Sequence, residues 1–260
     1  MRNGLRWVLV ALVAVSGLAV SERASAQERP HESGLPLETL LEIENAARLV
    51  AILLDSGRSV INENQALFDD PAKEDKGFSP ATFEQQLIEM FRTRSGIDLR
   101  DLNSTRLPKF AKELLRILVS VSKQVVADAQ PEINRKGVGL KGLIPAVFGA
   151  RVAHRFTEVT GVRLKQTALA PRNPSNAPDS FETAVLREFA DPSYPREKVI
   201  SEVTAESKSL RLMFPLYTTR QCLDCHGEPK GELDKTGYPR EGLRLGQNAG
   251  AISVVIPIHQ

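Results

Sequence analysis

Cysteine and aromatic residues are scarce in this sequence of 260 residues, which contains two cysteines, one tryptophan and three tyrosines. Two cysteines are too few for a disulfide-stapled scaffold, and 17 glycines with 16 prolines are too few for a collagen-like or low-complexity chain. Because 42% of the residues are apolar and 25% are charged, the chain can bury a core and is not expected to be disordered.

Long apolar runs are also scarce, and the one that stands out lies at the N-terminus. Arg2 and Arg6 precede an almost wholly apolar stretch over residues 7–20. The small residues of 24–26 then offer a cleavage site. This is the pattern of an export signal. The stretch is shorter than the roughly 20 residues of a bilayer span. We therefore expect residues 1–26 to be a cleaved signal peptide rather than a retained membrane anchor, and the protein to be periplasmic or otherwise exported.

The formal net charge of +2 belongs to this signal. Residues 1–26 hold three of the 34 basic and one of the 32 acidic side chains, so 31 of each remain after cleavage. The remaining chain also lacks any run of five or more Lys or Arg residues. We expect no nucleic-acid partner and no anionic membrane surface as a partner.

Hydrophobic periodicity predicts helices first and strands last. Helical spacing marks residues 37–61, 80–94, 108–129 and 145–159, and Asp179 with Glu182 forms a capping-box pattern before a helix over 180–190. Alternating apolar residues mark strands over 162–167, 199–203, 210–217 and 251–258. We predict one α+β domain over residues 27–260, helical over about 36–160, in which helices cover one face of a small antiparallel sheet over about 161–260.

The strongest chemical signal lies between two late strands, where Cys222-Leu223-Asp224-Cys225-His226 forms a Cys-x-x-Cys-His motif. This is the attachment site of a c-type haem, in which two thiols bind the haem vinyl groups and the histidine ligates the iron. Both cysteines of the chain lie in this motif. We predict one covalent haem c held by Cys222, Cys225 and His226.

Three other interpretations use the same cysteines. A thioredoxin-like thiol pair needs the two cysteines but not the histidine. A structural zinc site needs a second ligand pair, whereas His31, His154 and His259 are scattered singly. A disulfide between residues three positions apart would close a loop too short to stabilise the fold much.

The ligand on the other face of the iron stays open. His154 is the first candidate, Met213 is the second, and an open or water-filled position is the third possibility. Met90, His31 and His259 are the remaining side chains of suitable type. Haem propionates favour charge-assisted donors, for which we predict Arg172, with Arg220 and Arg240 as further candidates.

Several blocks together resemble the Tll-like haem domain family. They are Gly142-Leu143-Ile144-Pro145 with Phe148-Gly149, Lys165-Gln166-Thr167, Arg172-Asn173-Pro174 with Asn176, Pro178-Asp179 and Glu182, the Cys222–Gly227 motif with Pro229, Tyr238-Pro239, and Gly250–Val254. The resemblance covers most of the chain after the signal. It implies a periplasmic monohaem c-type protein with a PAS-like α+β fold, a domain that also serves as the sensor of some histidine kinases.

Carried onto this chain, the resemblance assigns thioether attachment to Cys222 and Cys225 and iron ligation to His226, and it places the Arg172–Asp179 loop near the haem. Members of the family often carry another cysteine in the helical half, a candidate ligand of the iron on its distal face. This chain lacks that cysteine, so distal ligation by a thiolate cannot be assigned to it. The segment 69–106 is longer than the family suggests, and its role is open.

These observations predict an electron carrier, or a sensor of redox state or small gases, whose partner is a redox protein or a diatomic ligand. A haem enzyme of the peroxidase type is the alternative, and a haem-free thiol oxidoreductase is a third. We expect a free-standing protein rather than the input half of a receptor, and the sequence leaves its oligomeric state open.

Overall fold

The computed structural model of the protein describes residues 35–204 and 208–258. The predicted signal peptide, His31 and His259 lie outside them. The helices are α1 (Leu37–Glu63), α2 (Gln65–Phe68), α3 (Pro80–Ser95), α4 (Lys109–Asp128), α5 (Gln130–Ile133), α6 (Pro145–Thr160), α7 (Ser180–Phe189) and α8 (Leu223–His226), with 3₁₀ turns at Leu99–Ser104 and Pro174–Asn176. The strands are β1 (Arg163–Thr167), β2 (Ile200–Thr204), β3 (Ser209–Tyr217) and β4 (Asn248–Pro257).

The predicted order of long helices followed by strands is confirmed, and so is the α+β class. The shorter elements α2, α5, α8 and the 3₁₀ turns escaped prediction because one helical turn contains no full period of the apolar pattern. Within the described residues, none of the helices combines the length and apolarity needed to cross a membrane.

The first helix is more deeply buried than its sequence pattern indicates. A one-sided apolar stripe predicts an amphipathic helix, but every residue from Leu49 to Leu54 is buried. The reason is its central position, because α1 packs against α3, α4 and α6 and also against β3 and β4. The helix therefore joins the helical layer to the sheet.

The segment 69–106 contributes to this helical core. Ser79 caps α3 by accepting a hydrogen bond from the Thr82 amide at 3.1 Å, as its position before Pro80 predicts. The apolar side of α3 is buried through Phe83, Leu87 and Phe91. Packing of a buried face supplies most of the stability of a helix in a protein. The segment is thus part of the main core.

The four described strands form an antiparallel sheet in the order β1-β4-β3-β2. Alternate residues point to opposite faces of a strand. Leu212 of β3 and its partner Val254 of β4 lie in the main core with α1, whereas the neighbouring Met213 packs on the other face.

Helices cover more of the sheet than we predicted, because α7 packs on this second face. Val185, Leu186 and Phe189 of α7 form a small core with Met213 and Ala251. The predicted capping box of α7 is present, with Asp179 and Glu182 each accepting from the other's backbone. Glu182 also accepts a hydrogen bond from Lys165 of β1 at 2.7 Å. These bonds fix the start of α7 against the sheet edge.

The packing of α1 predicts that Gly57→Ala destabilises the protein. A Cβ at Gly57 would lie 2.9 Å from Cε1 of Phe148, a fully buried ring. Overpacking of this kind costs about 1–3 kcal/mol, more than the roughly 1 kcal/mol that alanine gains over glycine in a helix. We expect a net loss of about 1 kcal/mol in the free energy of unfolding, measured by urea denaturation.

Gly149→Ala is the matched control for this substitution. A Cβ at Gly149, also in a helix, would meet only the amide end of Gln166, at 2.6 Å from Oε1. Gln166 can swing away at the cost of its hydrogen bond to the Ala146 carbonyl, so we expect almost no change. Equal losses for both variants would contradict this account of the Gly57 contact.

Candidate cofactor site

The Cys-x-x-Cys-His motif lies in the long connection between β3 and β4, over residues 218–247. The base of this connection is closed by two backbone hydrogen bonds. Thr218 N donates to the Gln247 carbonyl at 2.9 Å, and Gly246 N donates to the Thr218 carbonyl at 3.0 Å. Because β3 and β4 are neighbours in the sheet, the connection is held at both ends by the core.

The motif forms the single helical turn α8. His226 N donates to the Cys222 carbonyl at 2.9 Å, which is an i to i−4 helical bond. Residues three and four apart lie on the same side of a helical turn. The turn therefore groups the side chains of Cys222, Cys225 and His226. Both cysteines are free thiols and are partly exposed.

A glycine is required at position 227, where the backbone passes close to the C-terminal end of α8. A Cβ at this position would lie 2.5 Å from the Leu223 carbonyl oxygen, a backbone atom that cannot move aside. The glycine that follows the histidine in the sequence therefore has a local structural role.

Glu241 orients the imidazole of His226. Its Oε2 lies 2.8 Å from Nδ1 of His226, whose side chain is 38% exposed. In the neutral ring, Nδ1 is then the donor and Nε2 the free nitrogen. Among the described residues Nε2 has no hydrogen-bond partner, so this nitrogen is available to a metal.

Arg172 connects the loop after β1 to this motif. Its Nε and Nη2 donate to the two carboxylate oxygens of Glu241 at 2.6 and 2.9 Å. Nη2 also donates to the Cys225 carbonyl at 2.8 Å, and Nη1 donates to Asp234 at 2.6 Å. Burial acts to raise the pKa of Glu241, but the hydrogen bonds from Arg172 and His226 outweigh it and lower that pKa. Glu241 is therefore held as a carboxylate.

Asp234 is the buried end of this network, with a side chain that has no exposed surface. Its second oxygen accepts from the Thr236 amide at 2.7 Å, the Thr236 hydroxyl at 2.6 Å and the Tyr238 amide at 3.1 Å. Burial acts to raise the pKa of Asp234, but hydrogen bonds from Thr236 and Arg172 outweigh it and hold that pKa well below its ordinary value. The centroid of the Tyr238 ring lies 5.4 Å from the guanidinium carbon of Arg172.

The residues that we predicted for the site are brought together only in part. Arg172 lies beside the motif, but its described donors are directed at two carboxylates and a carbonyl of the chain. Arg240 donates to the Glu228 carbonyl at 3.0 Å, and Arg220 is exposed.

Neither candidate for the second iron ligand has a described hydrogen bond or ion pair to the motif. The side chain of His154 is 72% exposed on α6, with Nδ1 at 3.6 Å from a carboxylate oxygen of Glu158. Met213 is fully buried in the small core beneath α7, and Met90 packs against the main core. Ligation by His154 or Met213 stays a prediction.

Sequence reasoning missed Glu241 and Asp234. Asp234 is followed by Thr236 and Gly237, a combination typical of a turn in which the aspartate accepts backbone amides. That signal could have located the turn but not the ion pair. Glu241 carries no local signal, because it lies 69 positions from Arg172 and 15 from His226.

Within the described part of the chain, no group of three or more His, Cys, Asp and Glu side chains is arranged to hold a metal ion. The candidate site consists of His226 with one free ring nitrogen, the two nearby thiols, and a charged network of Arg172, Glu241 and Asp234 that contacts the other ring nitrogen through Glu241.

The fold and this site define an α+β protein with a surface Cys-x-x-Cys-His turn. The model of the Tll0287-like family matches residues 37–257, so the chain belongs to that family. A solved structure titled as that of the cyanobacterial heme-protein Tll0287 is similar at 18% identity over 59% of this chain and 98% of its own, with a TM-score of 0.39. Comparison with curated proteins found no significant match.

The buried network predicts that Asp234→Asn destabilises the protein. The new amide group would place a donor against Arg172 or against the donors of Thr236 and Tyr238. We expect a loss of about 2–4 kcal/mol near neutral pH, since removing one partner of a buried pair leaves the other uncompensated. Denaturant unfolding measures it, with the exposed Asp224→Asn as a control expected to show almost no loss.

The same pair of variants gives a pH test. A carboxyl whose pKa is lowered by folding stabilises the protein above its unfolded pKa of about 3.9, and this stability disappears as the pH falls through the folded value. The difference between wild type and Asp234→Asn should therefore be constant above about pH 5 and shrink below about pH 4. A difference that grows on acidification would contradict the assignment.

Proposed function

We propose that this protein binds one haem covalently, through thioether bonds from Cys222 and Cys225, with His226 as an iron ligand, and that it transfers electrons. The arrangement of α8 supports this most directly. Two free thiols and a histidine with one free ring nitrogen share a helical turn, and a carboxylate holds the other nitrogen at 2.8 Å. A metal-bound histidine commonly donates its second ring N–H to such a partner.

The loop and the connection joined by Arg172 also carry apolar side chains that a bound porphyrin could cover. Four exposed apolar side chains occur in the two segments joined by Arg172, the loop after β1 and the β3–β4 connection: Leu169, Leu233, Tyr238 and Leu245 are 49–65% exposed. Membership of the Tll0287-like family agrees with a haem protein.

The burial of Cys225 gives no support to the haem-free thiol oxidoreductase. Reactive redox thiols have lowered pKa values, which stabilise the thiolate. The pKa of Cys225 is raised instead, mainly by burial and additionally by the charge of Asp234. The surroundings of Cys225 therefore do not favour a reactive thiolate at this position.

Electron transfer is the activity that the position of the motif supports best. The bound iron would supply a one-electron redox couple. Cys222, Cys225 and His226 are all partly exposed, so the attachment edge of the cofactor would lie near the surface, where a redox partner protein can approach. The second candidate function is sensing of redox state or of a diatomic gas. It is supported by the contacts that lead from His226 through Glu241 to Arg172, because they connect the iron ligand to a different loop.

Export to the periplasm belongs to the same proposal, since the N-terminal pattern is that of a signal peptide. A matched pair of fractionations tests it. The full chain should be recovered in the periplasmic fraction with residues 1–26 removed, whereas a chain lacking that segment should remain in the cytoplasm without haem.

Covalent haem is tested by the visible spectrum of the protein produced in cells that mature c-type cytochromes. We expect a pyridine haemochrome typical of haem c, with one haem per chain. Cys222→Ala combined with Cys225→Ala should remove it, and His226→Ala should change the ligation of any haem that remains attached. Wild-type protein without covalent haem would overturn the proposal.

Carbon monoxide binding separates electron transfer from sensing and catalysis. A reduced protein that does not bind carbon monoxide has both axial positions filled, as expected of an electron carrier. Ready binding would favour a gas sensor or a peroxidase-type enzyme instead. His154→Ala then tests the second ligand, because a change from low to high spin would support His154 and an unchanged spectrum would exclude it.

A further inference from the structure

Glu241 binds two partners, Arg172 and His226, through one carboxylate. Its Oε2 accepts from Nδ1 of His226 at 2.8 Å and from Nη2 of Arg172 at 2.9 Å, while Oε1 accepts from Nε of Arg172 at 2.6 Å. The two-point contact with a planar guanidinium fixes the plane of the carboxylate. The carboxylate in turn fixes the rotation of the imidazole ring.

The charge of Arg172 is shared with a second carboxylate. Asp234 accepts from Nη1 of Arg172 at 2.6 Å and has no exposed side-chain surface. The network therefore combines one cation with two anions, and its net charge is negative. Glu241 is not fully neutralised by Arg172 and retains negative charge beside the ring nitrogen of His226.

Negative charge at this nitrogen has a defined effect on a metal bound at the opposite one. A carboxylate that accepts the Nδ1 proton increases the basicity of Nε2 as a ligand. A more basic ligand and a nearby negative charge both stabilise ferric iron more than ferrous iron. The axial ligands of a haem and the hydrogen bonds made to those ligands are among the features by which a protein sets the haem potential.

We propose that Glu241, held in place by Arg172 and Asp234, is a positioning residue that orients His226 and lowers the midpoint potential of the haem. This inference rests on the proposed function, since it needs His226 to ligate the iron. It also describes the electron-transfer partners more closely. The protein would exchange electrons with low-potential partners, and weaker reductants would leave it mainly oxidised.

Glu241→Gln tests this inference, because glutamine keeps the shape of the side chain and removes its charge. We expect the midpoint potential from spectroelectrochemical titration to shift to more positive values. The His226 Nδ1–H proton resonance, measured by NMR on the reduced protein if it is low-spin, should move upfield as the hydrogen bond weakens. A purely structural role for Glu241 would not produce both changes.

Glu228→Gln is the matched control. Glu228 lies in the same connection, its side chain is 61% exposed, and its carboxylate is 3.2 Å from Nε of Arg244. This variant changes the net charge equally but removes no bond to His226. We expect its potential and its proton resonance to stay at the wild-type values.

The outcomes separate this inference from the proposed function. Wild-type protein without covalent haem would overturn both. Covalent haem in all three proteins, with the same potential for Glu241→Gln and Glu228→Gln, would overturn only the role of Glu241. If Glu241→Gln does not retain haem, Glu241→Asp gives the same test, with a smaller positive shift expected because its carboxylate is one methylene group shorter; a wild-type potential there would again overturn the inference.

Discussion

The ion pairs of Arg172 with Glu241 and Asp234 are the interaction on which the candidate site depends. They join the loop after β1 to the connection between β3 and β4. Asp234 and Glu241 lie 62 and 69 positions from Arg172 in the chain. Without Arg172, Asp234 would be a buried carboxylate with no ion-pair partner among the described residues, and Glu241 would lose the contact that aligns it with His226. Such unpaired buried charges are strongly destabilising. One side chain thus couples the stability of the connection to the orientation of the histidine.

The fold provides a fixed base for this network. The connection begins at the end of β3 and returns at the start of β4, and these neighbouring strands face α1 on one side of the sheet and α7 on the other. The motif itself is one helical turn, too short to be stable in isolation. The sheet and the ion pairs of Arg172 with Glu241 and Asp234 hold it in place.

The sequence patterns predicted the elements with long periodic stretches well. The four long helices, the cap at Ser79, the capping box at Asp179 and all four described strands lie where apolar spacing and capping residues indicated. Spacing also located Cys222, Cys225 and His226, because the chemistry of the motif is local. It could not show that α1 is buried on all sides over Leu49–Leu54, that α7 covers the second face of the sheet, or that Glu241 contacts His226. Each of these depends on residues distant in the chain, about which local periodicity carries no information.

The central claim is that Cys222 and Cys225 hold a haem permanently. The most direct measurement is the intact mass of the purified protein under denaturing conditions, followed by peptide mapping. The account predicts a chain heavier by one haem, with the added mass on the peptide that contains Cys222 and Cys225. A chain without added mass, with two free thiols or a disulfide at these positions, would contradict it.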